Sequence, residues 1–77
     1  MFRRSEAAIW GGVVTGLEVC QSSDTPLLAF GEFLGKLRRM GWHPADIRIV
    51  ERSILELLHW NREGIATAVA NDFLAVG

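Results

Sequence analysis

Glu56 and His59 stand three residues apart, a Glu-x-x-His spacing that puts a carboxylate and an imidazole on one face of a helix. Di-metal carboxylate bundles use that spacing, with each pair projecting inward. Glu18, Glu32 and Glu63 offer further carboxylates, and a second copy of the chain would supply a second pair. The direction of the pair argues against a metal centre. On a helix through this stretch Ile47, Val50, Ile54, Leu57 and Leu58 form the apolar stripe, and Arg48, Arg52, Glu56 and His59 fall opposite it. A Glu–His pair there belongs to a solvated face. No metal site and no cofactor are expected, and Glu56 and His59 are the candidates should there be one.

Nucleophilic chemistry finds less support. Ser5, Ser22, Ser23 and Ser53 sit in no nucleophile elbow, and Cys20 sits in no catalytic cysteine motif. Cys20 continues an apolar arc, where a thiol acts as a small hydrophobe. It is the only cysteine, so a disulfide within the chain is impossible and no zinc spacing exists. The glycines of WGGVVTG match neither phosphate-binding pattern, and no lysine follows them. A chain of 77 residues has little room for a pocket of the roughly 300 Å³ that ligands need. The expectation is a protein that is not an enzyme.

The stretch RRMGWHPADI has the outline of a helix-turn-helix. A DNA reader presents Arg, Lys, Asn or Gln in the first turn of its second helix. Here that turn is PADI, with Asp46 set against phosphates, leaving Arg48 and Arg52 as base contacts and Arg38 and Arg39 as phosphate clamps. Each residue of the stretch also has a structural reason. Gly41 stops one helix, Pro44 and Asp46 start the next, and Trp42 has the spacing to staple the corner to Ile47. Only His43, an indifferent N-cap type, lacks a settled job. DNA binding is therefore an alternative reading.

Eight basic and nine acidic side chains give a formal charge of −1, so the chain has no broad positive field for nucleic acid or anionic lipid. Its apolar runs fall short of the ~20 residues a membrane span needs. MFRR before AAIWGGVV resembles a signal peptide faintly, but Glu6 interrupts the apolar stretch. A cytoplasmic setting with a reduced Cys20 is expected. A domain this small buries only about 60% of the surface its unfolded chain exposes, which favours completion by a partner. Three tryptophans exceed what its interior readily hides. Trp60 and Ile49, off the core stripe on one flank, with Trp42 and Trp10, are the expected contacts. The function expected is a protein-binding module, a regulator, inhibitor or assembly factor, with a homodimer as its first partner.

These residues need elements to position them. Thr25 and Pro26 open a helix whose Leu27, Phe30, Phe33, Leu34, Leu37 and Met40 make one face. Lys36, Arg38 and Arg39 complement its C-terminal dipole. Pro44 opens the next. The segment from Ser5 to Gln21 has Ile9, Val13 and Leu17 at helical spacing, and Ala8, Gly12 and Gly16 form a stripe of small residues. That stripe, repeated at Gly31 and Gly35, would let another helix come close. Ile65, Val69 and Phe73 give the last helix. The expected fold is all-α, a single domain of three to four short helices over about 6–20, 26–40, 44–60 and 64–75, with residues 1–4 flexible. Terminal β-hairpins around two central helices, an α+β fold, are the alternative. The expected core is Leu27, Phe30, Phe33, Leu34, Ile47, Val50, Ile54 and Leu57.

Overall fold

A computed structural model describes residues 2–60 and 62–76, apart from the side chains at 62, 68, 73, 75 and 76. The chain forms four helices in the order α1 (Glu6–Gln21), α2 (Pro26–Arg39), α3 (Pro44–Leu57) and α4 (Arg62–Val76). The described residues contain no strand, so the α+β alternative does not hold. The glycines of α1 suggested turns because they cost helix stability in isolation. Packing outweighs that cost. A Cβ on Gly12 would lie 3.0 Å from the Trp42 ring, and one on Gly16 would collide with Ile54 and lie 2.7 Å from Phe33. The small-residue stripe of α1 thus serves close approach within the chain. Its counterpart at Gly31 and Gly35 meets no helix: both line an open cleft of about 630 Å³ beside Asp72 of α4.

The first three helices are each started by a different device. Ser5 Oγ accepts the Ala8 N–H at the head of α1. His43 Nδ1 accepts the Ala45 N–H at the head of α3, which gives the unassigned imidazole its job. Thr25 makes no side-chain cap for α2. The Leu28 N–H of that helix goes instead to Asp72 Oδ2 of α4, 3.1 Å away. A carboxylate there also faces the positive end of the helix dipole.

Two helices end in the same way. At Gly41, with φ 86°, the Gly41 N–H reaches Arg38 O and the Trp42 N–H reaches Leu37 O. These are the bonds of a Schellman motif. His59, with φ 55°, repeats them through Glu56 O and Leu55 O. This ends α3 at Leu57 rather than near Trp60.

Val13, Cys20, Phe30, Phe33, Leu37, Trp42, Ile47, Val50 and Ile54 form the core. α1 packs on α2 and α3, α2 also touches α3, and α4 packs on α2. α1 and α3 run in the same direction, since Gly12 meets Val50 and Gly16 meets Ile54 one turn further on. Leu27 and Leu34 are half-buried. Leu57, expected in the core, is 52% exposed. It ends α3 on a flank that no element covers, while Leu58 leans on the core.

Candidate interaction surface

Of the four residues expected to make contacts, Trp42 is buried, Trp60 is half-buried, and Trp10 and Ile49 are exposed. Trp42 is buried, with its ring edge against Gly12 and the Arg4 guanidinium 4.9 Å from its centroid. It follows Gly41 as the residue that locks the helix end, and it shares a small cleft with Ile47, as the staple spacing implied. Trp60 is half-buried and meets Phe30 edge to face at 5.6 Å. Trp42 therefore presents almost no free surface, while Trp60 keeps part of its ring exposed in a cleft with Leu55 and His59. Sequence spacing did not find Phe30 for Trp60, because the pairing crosses from the end of α3 to α2. Trp10 and Ile49 remain outside, 52% and 42% exposed.

The helical period places these two on one face. Gly11 and Thr15 of α1 share a cleft with Lys36 and Met40 of α2, so α2 lies along that flank. Trp10, Val14 and Leu17 occupy the other flank, beside α3. On α3, Arg48 and Glu51 share a cleft with Arg38 of α2. Ile49, Ser53 and Leu57 then lie beside α1. The two flanks make one outward surface with Trp10, Val14, Ile49 and Leu57 exposed on it.

The charges on this surface are acidic on α1 and mixed on α3. Glu6 and Glu18 are the only charged residues of α1, and both are exposed. Arg48 and Arg52, also exposed, line a cleft of about 410 Å³ with Arg3, Ile49 and the carboxylate of Glu56. Neither of these two α3 arginines forms an ion pair among the described residues.

The head of α3 carries the one charge that is wholly buried among the described residues. Asp46, 0% exposed, takes the Arg3 Nε on Oδ1 at 2.6 Å and the Arg4 N–H on Oδ2 at 2.7 Å. The Arg4 N–H is the largest influence holding its carboxyl below the ordinary range. Burial opposes it, and the hydrogen bond and charge of Arg3 and the nearby His43 add to it. Residues 1–4, expected to be flexible, thus contribute two anchored residues, Arg3 and Arg4. A carboxylate at the third helical position ordinarily turns back to the backbone of its own helix. Both Asp46 oxygens turn to the arm instead. The first turn of α3, which a DNA reader would present, lies under this arm.

The metal candidates do not converge. Glu56 and His59 are exposed, and His59 has left the helix that gave the pair its spacing. Among the described residues no three His, Cys, Asp or Glu side chains come together to hold an ion. Cys20 is buried in the core, and burial pushes its thiol up, away from the nucleophilic thiolate. No described helix is long and apolar enough to cross a membrane. No protein family, no curated protein and no solved structure matches this chain.

Proposed function

We propose that the chain is a non-enzymatic protein-binding module, acting as a regulator, inhibitor or assembly factor, whose contact surface is the outward face of α1 and α3. The observation that carries this is the exposure of Trp10, 52% outside, together with that of Val14, Ile49 and Leu57, which the helical period sets on the same side of α1 and α3. Of the other two tryptophans, Trp42 is buried and Trp60 packs on Phe30. A half-exposed tryptophan ringed by aliphatic groups is the composition of a binding hot spot.

The first partner in this reading is a second copy. Carboxylates border the α1 half of the face, and Arg48 and Arg52, with Glu56 among them, border the α3 half. A two-fold axis running along the helices lays α1 of one copy on α3 of the other, with Glu18 set toward Arg52 and its neighbour Glu56. A cytoplasmic setting belongs to the same reading, supported by the free thiol of Cys20. The helix-turn-helix outline of α2 and α3 has no comparable support as a DNA reader, since Asp46 and the arm fill its reading turn.

Sedimentation of the full chain at micromolar concentration tests the proposal. The expected species is a dimer that Trp10→Ala dissociates while the far-UV helix signal stays intact. A chain that is monomeric throughout the range sinks the homodimer, and the protein-binding reading then requires a different partner on the same face.

A further inference from the structure

We propose that the corner built from Asp46 and Trp42 is a receptor for an extended, arginine-bearing peptide segment, and that the chain's own arm is an exchangeable occupant of it. Asp46 supplies a buried carboxylate whose two oxygens take a guanidinium N–H and a main-chain N–H from successive residues. Trp42 supplies an aromatic face over which the second guanidinium rests at 4.9 Å. Together these recognise an extended backbone with arginine at two adjacent positions.

Two observations separate a receptor from a structural clasp. The first is that Asp46 is not spent on its own helix. A carboxylate at the third helical position ordinarily reaches back to the capping residue's N–H. Here His43 Nδ1 caps the helix and both Asp46 oxygens serve the arm. The second is that the arm is held by polar contacts. Phe2 is 93% exposed, and the Arg3 side chain is 54% exposed even while paired. A segment without buried apolar anchors opens at low free energy. Any segment of the same chemistry that also covers Ile49 or Ala45, in the cleft next to Arg3, would displace it.

The test uses the full chain carrying Arg3→Ala and Arg4→Ala, titrated with the peptide acetyl-Phe-Arg-Arg-Ser-amide. The readout is the Trp42 indole N–H resonance. The expected result is a saturable shift at Trp42 with Trp10 unmoved. Asp46→Asn in the same background should lower peptide affinity by about tenfold or more, the effect of losing a charge-assisted hydrogen bond. Lysine in place of both peptide arginines should weaken binding as well, because an ammonium neither stacks nor presents a planar fork. No shift on the folded variant would overturn the proposal. So would loss of its helix signal, since an exchangeable occupant can be removed without loss of the fold.

Discussion

Arg3 Nε and Asp46 Oδ1 lie 2.6 Å apart although 43 positions separate them in the sequence. The pair fixes the segment before α1 to the first turn of α3, and it makes stability depend on acid. The Asp46 carboxyl sits below its ordinary value of 3.8 when folded, so the folded protein binds this proton less readily than the unfolded chain does. The contribution is therefore complete above the ordinary carboxylate value and is lost as pH falls through the lower folded value. Urea unfolding between about pH 2 and 6 should show a loss of stability at the acid end that Asp46→Asn lacks. Parallel curves for the two proteins would contradict this assignment.

Gly16 and Gly31 should respond to alanine with opposite signs. A Cβ at Gly16 meets Ile54 and Phe33, both core residues with little freedom to move. Gly16→Ala should destabilise by about 1–3 kcal/mol, the range for overpacking. A Cβ at Gly31 meets nothing within 4 Å. Gly31→Ala should stabilise by roughly 0.8–1 kcal/mol from helix propensity alone. Chemical unfolding midpoints at constant slope report both.

Local spacing made some features legible and hid others. The face and stop of α2, the Pro44 start and the pairing of Trp42 with Ile47 are relations within a few residues, where period and capping chemistry decide. The identities of α1 and α4 were harder, because their glycines and alanines read as either turns or close contacts until a neighbour is present. Among the candidate contacts, spacing set Ile49 off the core stripe but did not separate Trp10 from Trp42 and Trp60. Which tryptophan is covered depends on Gly12 and Phe30, on other helices. The same limit hid Asp72, which caps α2 from 44 residues away. It also hid Asp46, whose donors precede α1.

His59 and Gly41 hold the same left-handed position after their helices, with φ 55° and 86°. Only glycine occupies that region without strain from a Cβ. His59→Gly should therefore raise stability by roughly 0.5–1 kcal/mol, net of the entropy that glycine adds to the unfolded chain. Gly41→Ala should lower it by about 1–2 kcal/mol. Thermal midpoints of the two variants should move in opposite directions.

His43 acts through one ring nitrogen, and that nitrogen accepts from the Ala45 N–H at 3.0 Å. His43→Ala removes the acceptor and should cost about 0.5–2 kcal/mol, the usual loss on deleting a cap. His43→Asn keeps an acceptor at the same place and should hold stability at or above the parent. If alanine and asparagine unfold at the same denaturant concentration, the imidazole is not the cap.

Trp42 and Trp10 should divide stability from association. Trp42 is 7% exposed and fills the space against Gly12, so Trp42→Ala should destabilise by about 3–5 kcal/mol, the range for a buried aromatic. A small domain has little more than that to lose. Trp10 is 52% exposed on the face with Ile49, so Trp10→Ala should leave unfolding within about 0.5 kcal/mol of the parent. Its effect belongs in sedimentation, as a shift toward monomer. Charge provides the sharper control, because Glu18→Arg should weaken self-association and Arg48→Glu with Arg52→Glu should do the same. In an assembly of identical copies the triple variant meets its own reversed charges and should regain part of the lost affinity. If the single and double changes weaken association but the triple recovers nothing, the arginines and Glu18 do not face one another across the two-fold axis.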